Sequence, residues 1–359
     1  MVKLKDIAEK TGVTVSTVSA ALNGRGHMRK ETRDYLLRTA REMGYAPNGA
    51  ARQLRNKPAV DVGLIINDKS TNLRRGGTYL AHISEFLSLC SRGGLSNRIE
   101  FFTQEEKETA IPELMRERIA GGVIHVGYLT EGIRCFLEQN PEYPLVMFGE
   151  PGRYSVRAAL EKGAYQAMQY LAALGHREVM VSFGPLKYDY HRQISRGVKR
   201  ALQDFGLTPL GGDLSAEPQA EEDETHYMER MFEWSLQALT RTPRPTAFYC
   251  SGSFTGRALI SAAFRLGLRI PEDLSIVTHG IVNEGSSSYP ELTSVELNFN
   301  EMYSAALLIL QQLRSGCRPI QNEVWVDPML VIQQSTAAPG RGRPVLRNTK
   351  TQLCKERTS

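Results

Sequence analysis

The sequence predicts two structurally different parts: an all-α headpiece with a helix-turn-helix arrangement, and a two-lobed α/β body with parallel, doubly wound sheets. Three short helical segments occupy the first sixty residues, and the later residues alternate short apolar runs with helical segments. At 359 residues the chain is long enough for two or three domains. The predicted boundaries are 1–46 for the headpiece, 47–59 for a hinge helix and linker, 60–337 for the body and 338–359 for a basic disordered tail.

The overall composition is that of an ordinary globular protein. Hydrophobic residues make up 41% of the chain and charged residues 23%, and no apolar run reaches the roughly 18–20 residues that cross a bilayer. The N-terminal stretch MVKLKDIAEK lacks the continuous apolar segment of a secretory signal. Five widely spaced cysteines without a CxxC pair predict reduced thiols and no zinc site. We therefore expect a cytoplasmic chain with no membrane partner and no metal or other cofactor.

The charge is strongly segregated along the chain. Residues 1–59 hold twelve basic and five acidic residues, a net charge of +7. The body, 60–337, holds 26 basic and 33 acidic residues, a net charge of −7, and the tail holds six basic and one acidic residue. Basic termini on an acidic body indicate an N-terminal domain that binds a polyanion, joined to a body with a different function. The alternative is that the basic termini are only solvated tails.

The first and third headpiece helices follow from apolar spacing. Apolar residues recur at i, i+3 and i+4 from Leu4, and Gly12 stands where a left-handed helix end favours glycine, so the first helix should run from about Lys3 to Lys10. The same periodicity predicts a third helix from Thr32 to Met43, which Gly44 ends.

The second helix begins after a hydroxyl cap. Thr14 can accept a backbone N–H as the N-cap, and Val15, Val18 and Leu22 form the predicted inner stripe of a helix that ends near Asn23. Two short helices joined by a tight glycine-containing turn, followed by a third, describe a helix-turn-helix module.

The second helix is rich in poor helix formers, and its short side chains suit a DNA groove. Thr17, Ser19 and Asn23 can bond phosphate oxygens. Val15 and Ser16 can present a methyl surface and a hydroxyl to base edges. The alternative is an ordinary amphipathic helix with surface hydroxyls.

The segment YAPNGAARQLRNKP, Tyr45–Pro58, predicts a short helix that Asn48 caps and the final proline stops. About eight helical residues are too few to be stable alone in water, so the helix should form only when something holds it. The one large apolar side chain of this helix, Leu54, is flanked by Arg52, Arg55 and Lys57. Proteins that bind the minor groove insert such an apolar side chain between two base steps. The alternative, a flexible Arg-rich linker, gives Leu54 no particular role.

The two segments LKDIAEKTGVTVSTVSAALNG and GYAPNGAARQLRNKP together resemble the DNA-binding headpiece and hinge helix of the lactose repressor (LacI/GalR) family of bacterial transcription regulators. The resemblance implies that Val15, Ser16 and Ala20 face the bases and that Thr17, Ser19, Asn23, His27 and Tyr45 contact the DNA backbone. It also implies that Leu54 intercalates at the centre of a palindromic operator and that Ala51 packs the paired hinge helices. Lys5, Thr14 and Asn48 complete the candidate DNA-binding set.

Ala20 departs from the family pattern. The family usually has a large polar residue there, commonly Arg, which would contact guanine through two hydrogen bonds worth roughly 1–3 kcal/mol of discrimination. Alanine lacks this contact, so we expect a different operator preference.

From Val60 onward, eight short apolar runs alternate with segments of helical periodicity: VDVGLIIN, IEFF, GVIHV, LVMF, VMVSF, TAFYC, LSIVTH and TSVEL. This rhythm predicts parallel sheets with crossover helices, and 278 residues favour two lobes with a ligand cleft between them. The body resembles the periplasmic-binding-protein-like effector domain of the same family, most clearly in the segments Lys162–Pro185 and Arg244–Val277.

Side chains at the carboxyl ends of parallel strands face such a cleft. This rule nominates Asn67, Asp68, His125, Glu150 and His279 as candidate effector ligands, each with the alternative of a solvated loop residue. The resemblance adds Arg192, which falls where the family places an arginine that bonds effector hydroxyls or carboxylates.

Several polar residues that the family uses in the cleft are missing. Its Asn-Asp pair is Gly252-Ser253 here, and its sugar-binding Asp is Gly280. Each polar group left unpaired in a buried site costs roughly 1–3 kcal/mol, so an ordinary monosaccharide effector is not expected. We expect a small-molecule effector, a sugar or related metabolite other than an ordinary monosaccharide; the alternative is a cleft without a ligand in a protein that answers to a protein partner.

The chain lacks P-loop, GxSxG and HExxH motifs, so we do not expect an enzyme. The tail contains no leucine heptads, which leaves a homodimer as the expected assembly. The sequence therefore predicts a nucleoid-associated dimeric repressor that binds a double-stranded palindromic operator, with its affinity modulated by a small-molecule effector. The alternatives are a solute-binding protein of the same body fold and a regulator without small-molecule sensing.

Overall fold

The computed structural model describes most of the chain, in the ranges 4–22, 28–43, 45, 60–67, 78–102, 107–184, 186, 189–210, 224–250, 252–281 and 285–340. Of the candidate residues, Asn23, His27, Asn48, Ala51, Leu54 and Asp68 lie outside these ranges, as do the hinge up to residue 59 and the tail from residue 341. Among the described helices, none is both long and apolar enough to cross a bilayer.

The headpiece contains the three predicted helices, α1 (Leu4–Thr11), α2 (Val15–Leu22) and α3 (Lys30–Glu42). Gly12 has a φ of 71° and its N–H donates to Ala8 O over 2.9 Å, so it ends α1 in the left-handed conformation that the sequence predicts. Each predicted helix boundary agrees with the structure within about two residues.

The three headpiece helices share a small apolar core. Its six buried residues come from all three helices: Ile7, Ala8, Val18, Ala21, Leu36 and Ala40. Burial of this stripe from each helix fixes which side of α2 remains available for a partner.

The first lobe of the body, the N-lobe, contains a six-stranded parallel sheet in the order β11-β5-β4-β3-β1-β2. Its strands are β1 (Val62–Asn67), β2 (Asn97–Phe102), β3 (Val123–Val126), β4 (Leu145–Phe148), β5 (Ser155–Ala158) and β11 (Glu323–Val326). Its helices are α4 (Thr78–Arg92), α5 (Glu113–Arg116), α6 (Glu131–Gln139) and α11 (Phe299–Arg314). Strands β1, β3 and β4 are buried along their whole length, as expected for a parallel sheet covered on both faces.

The second lobe, the C-lobe, contains the sheet β12-β10-β9-β8-β6-β7, which is parallel except for β12 at one edge. Its strands are β6 (Glu178–Ser182), β7 (Thr208–Pro209), β8 (Ala247–Cys250), β9 (Ser275–Ile281), β10 (Thr293–Leu297) and β12 (Met329–Val331). Its helices are α7 (Leu160–Ala173), α8 (Asp189–Asp204), α9 (Glu224–Leu239) and α10 (Ser253–Arg265), with a short 3-10 turn at Gly285–Ser287.

The chain passes between the lobes three times, from β5 to α7, from β10 to α11 and from β11 to β12. Three adjacent connections allow the lobes to pivot, and they place the carboxyl ends of both sets of parallel strands at the cleft between them. The predicted two-lobed architecture is therefore confirmed.

His176, two residues before β6, fastens the end of the body to the C-lobe. Its Nδ1 lies 2.9 Å from Thr246 Oγ1, and its Nε2 lies 3.1 Å from Ser275 Oγ and 3.0 Å from Ala337 O. Burial lowers the pKa of the ring, so it remains neutral in this role.

Candidate DNA-binding helix and inter-lobe cleft

Thr14 caps α2 as predicted. Its Oγ1 accepts a hydrogen bond from the Thr17 backbone N over 3.2 Å, and the hydroxyls of Ser16 and Thr17 lie 2.7 and 2.8 Å from the same oxygen. Three exposed or half-buried hydroxyls thus gather at the positive end of the helix dipole, where a phosphate anion is favoured.

The outer side of α2 carries the residues that were expected to face DNA bases. Val15 is 39% exposed, Ser16 is exposed and Ala20 is half-buried, whereas Val18 and Ala21 are in the core. The placement of Val15 in the inner stripe is therefore wrong, because the helix turns its side chain away from α1 and α3. The exposure of Val15 agrees with its other predicted role, in which it faces the DNA bases.

Ser19 differs from its expected role as a backbone contact. It is only 7% exposed and follows the buried Val18 along α2. A side chain this short does not extend past the packing surface, so its burial argues against a contact with phosphate oxygens.

Of the two remaining headpiece candidates, Lys5 is exposed and Tyr45 packs against the core. Lys5 Nζ lies 3.7 Å from Glu9 Oε1 in an exposed pair, which contributes little stability and leaves the ammonium accessible to phosphate. Tyr45 is half-buried and packs against the core, and its N–H donates to Ala40 O over 3.0 Å. Their roles as DNA contacts remain predictions.

Three of the strand-end candidates in the body are fully buried, so they form part of the structure under the cleft. Asn67 Nδ2 donates to Tyr128 O over 2.7 Å, which ties the end of β1 to the loop after β3. His279 Nδ1 lies 2.9 Å from the Tyr249 hydroxyl, and burial lowers its pKa to about 3. His125 is also inaccessible, with its pKa lowered by burial to about 4. Their assignment as direct ligands is corrected, because a fully buried side chain does not reach a molecule in the cleft.

Arg192 lies in the first turn of α8, beside the carboxyl end of β6. Its side chain is 44% exposed, with Nη2 3.3 Å from Asp189 Oδ1 and Nη1 donating to Leu186 O over 3.1 Å. The guanidinium is accessible from the cleft, so its expected role there remains a prediction.

An ion-pair network that sequence reasoning missed joins the two lobes. Arg157, on β5 of the N-lobe, pairs through Nη2 with Asp189 on α8 of the C-lobe, and through Nη1 with Glu323 Oε1 over 2.7 Å. Gln193 Nε2 donates to Asp189 Oδ2 over 2.7 Å. Burial alone would raise the pKa of Asp189, but the hydrogen bonds from Gln193 and Arg157 hold it below its usual value. We name these four residues the inter-lobe network.

Glu150, two residues after β4, is half-buried at the cleft end of the N-lobe. Burial raises the pKa of its carboxyl, and the negative charge of Asp189 adds to this rise, while Arg192 and Arg157 oppose it. Among the described residues, no hydrogen bond or ion pair to this carboxylate is present. Its position in the cleft agrees with the prediction from the strand end.

Two family models match the chain. The model described as "Bacterial regulatory proteins, lacI family" matches residues 3–48, and the "Periplasmic binding protein-like domain" matches residues 168–336. The first covers the helix-turn-helix headpiece and the second covers most of the C-lobe.

Curated relatives extend the similarity to nearly the whole chain. The HTH-type transcriptional repressor PurR of Klebsiella pneumoniae (strain 342) is 26% identical over 350 residues, which are 94% of this chain and 97% of that protein. PurR of Escherichia coli O1:K1 / APEC is 25% identical over the same length and the same shares. These relatives are transcription regulators rather than enzymes.

Solved structures share the fold. The lac repressor dimer bound to operator and the anti-inducer ONPF has a TM-score of 0.66 and 22% identity, covering 94% of this chain and 99% of that chain. The complex of the transcriptional regulator CelR with cellobiose has a TM-score of 0.63 and 20% identity, covering 93% and 100%. The headpiece therefore matches the lacI family of bacterial regulatory proteins, and the chain is similar to transcription regulators over nearly its whole length.

Proposed function

We propose that this regulator represses transcription by binding a palindromic operator on the nucleoid as a homodimer, and that a small molecule in the inter-lobe cleft sets its affinity for DNA. The observation that carries the proposal is the outer side of α2, where Val15 and Ser16 are exposed next to the hydroxyls gathered at Thr14. The relatives named as repressors, and the lac repressor structure with operator, support it.

The effector acts by shifting the population of lobe arrangements. A ligand changes the affinity for operator only by its differential affinity for the two arrangements. The Arg157–Asp189 pair crosses between the lobes, so it biases the same equilibrium from within the protein. The ion pair and the ligand therefore act on the same equilibrium between the two lobe arrangements.

The direct test is selection of operators from a randomised duplex library by the purified full-length chain. We expect enrichment of a sequence with twofold symmetry, because a dimer presents two copies of α2 to successive turns of the duplex. Failure to enrich any sequence would contradict the proposal.

Replacement of Ala20 by Arg should change the enriched sequence. Ala20 lies on the half-exposed side of α2, where a guanidinium can make two hydrogen bonds to guanine, worth roughly 1–3 kcal/mol. The same selection with the variant should show guanine at one position of each half-site. An unchanged consensus would remove Ala20 from the base-reading set.

The dimer needs an apolar surface, and α4 supplies one. Leu80 is 70% exposed and Leu87 lies two turns further along the same side of the helix, with the exposed Phe101 on the neighbouring β2. Clustered exposed apolar side chains mark interaction sites more often than solvent-facing surface. We assign this surface to the contact between protomers.

Replacement of Leu80 by Asp should raise the dimer dissociation constant by at least ~10-fold, since a carboxylate buried at the centre of an apolar contact is strongly unfavourable. Sedimentation velocity over a concentration series measures the effect. Ile320→Asp, at a highly exposed loop residue of the N-lobe, is the matched control and should leave the dimer intact. Equal behaviour of the two variants would place the dimer contact elsewhere.

A regulator that answers to a protein partner is the second candidate. It is favoured by the burial of Asn67 and His279 and by glycine at positions 252 and 280, which leave few polar side chains for a small molecule. A small-molecule ligand at 100 times its dissociation constant adds about 2.7 kcal/mol of stability. No thermal shift across a broad metabolite panel would favour the partner-driven function.

A further inference from the structure

The unpaired carboxylate of Glu150 identifies the kind of ligand that the cleft accepts. Glu150 follows the buried strand β4, at the end of the N-lobe sheet that faces the C-lobe. Within the described part of the chain no donor hydrogen-bonds to this carboxylate. It therefore differs from Asp189 and Glu323, which pair with Arg157.

The cations nearest to Glu150 are engaged elsewhere. Arg157 pairs with Asp189 and Glu323, and Arg192 pairs with Asp189 and donates to Leu186 O. Asp189 thus holds both arginines, and Gln193 fixes it from the side. Together with Arg192, the inter-lobe network balances two positive against two negative charges and leaves Glu150 outside.

A half-buried carboxylate without a partner is unfavourable. Partial removal of the side chain from water penalises its charged form, and only solvent hydrates the carboxylate in the described structure. Burial and the nearby negative charge of Asp189 both raise the pKa of Glu150, because both make its charged form less favourable. A positive charge brought by a ligand would relieve it.

The neighbouring residues of β9 offer few polar groups to a polyhydroxy ligand. His279 is fully buried beneath the cleft, with the Tyr190 ring edge-on against it at 5.6 Å between centroids, and Gly280 has no side chain. An organic cation suits this carboxylate, because an ammonium or guanidinium group forms a charge-assisted hydrogen bond with it.

We propose that the effector is a small organic cation, with a primary ammonium or guanidinium group that binds Glu150 in the inter-lobe cleft. This assignment rests on the proposed function of the cleft as an effector site. The ammonium or guanidinium donates to the Glu150 carboxylate and leaves the Arg157–Asp189 pair intact.

The test is isothermal titration calorimetry of the full-length dimer with putrescine and agmatine, and with 1,4-butanediol as a neutral counterpart of putrescine. At least one of the two cations should bind, and the diol should not. Glu150→Gln keeps the size of the side chain and should weaken cation binding by at least ~10-fold, because it removes the charge-assisted hydrogen bond. Glu142→Gln, at an exposed carboxylate of the same lobe, is the control and should bind as the unmodified protein does.

Three results would overturn the assignment: no binding of either cation, equal binding of diol and diamine, or equal affinities of the Glu150 and Glu142 variants for the cation. A thermal unfolding curve of each variant establishes that it is folded before titration. The proposed function is tested separately by operator enrichment with the unmodified protein, so it stands or fails independently of these titrations.

Discussion

Replacement of Leu54 by Ala is expected to weaken binding to the selected operator by at least ~10-fold, with little change in binding to unrelated DNA. Leu54 is the one large apolar side chain in the basic hinge segment, and a wedge between base steps acts only where the duplex can be kinked at the operator centre. Truncation of a buried leucine costs about 2–5 kcal/mol, whereas phosphate contacts supply most of the non-specific affinity.

Fluorescence anisotropy with the operator and a scrambled duplex at one salt concentration measures the effect of Leu54→Ala on both. Leu308→Ala, at an exposed leucine of α11, is the control and should not change either affinity. Equal losses on the two duplexes would show that Leu54 does not act as a wedge.

Replacement of Asp189 by Asn is expected to lower the free energy of unfolding by about 1–3 kcal/mol. The side chains of Asp189 and Arg157 are 12% and 11% exposed, so loss of the carboxylate leaves Arg157 largely desolvated with Glu323 as its remaining partner. Because the pKa of Asp189 lies below its usual value, its contribution should be present near neutral pH and decline as the pH falls below about 4.

Urea unfolding of Asp189→Asn and Glu161→Gln separates the inter-lobe network from ordinary surface pairs. Glu161 pairs with Arg196 over 2.8 Å on a more exposed surface, where ion pairs contribute at most about 1 kcal/mol. The Asn variant should therefore lose more stability than the Gln variant. Equal losses would mean that the Arg157–Asp189 pair does not fasten the lobes.

The headpiece was predictable because each of its features is local. Glycine at position 12, a hydroxyl at position 14 and apolar residues at helical spacing determine helix ends within a few residues of themselves. The orientation of Val15 and the burial of Ser19 were not predictable, because they depend on how α1 and α3 pack against α2.

In the body, the eight apolar runs are the strands at the centres of the two sheets, with β2 at one edge. The sequence did not predict four short strands, β5, β7, β11 and β12. Three of them lie at sheet edges, where many side chains face solvent and the apolar pattern of a strand is weaker.

Strand ends located the cleft but did not determine which side chains enter it. Glu150 lies beyond the last residue of β4 and is accessible, whereas His279 lies within β9, where neighbouring strands and Tyr249 cover it. The Arg157–Asp189 pair joins residues 32 positions apart in different lobes, so no local pattern predicts it.

The ratio of the dissociation constants for a scrambled duplex and for the selected palindrome, at physiological salt, tests the central claim most directly. A dimeric regulator that reads bases through α2 should show a ratio of at least ~10³, with two chains bound per palindrome. A ratio near one, with affinity that depends only on salt, would show that the basic headpiece binds DNA without reading its sequence and would contradict the account.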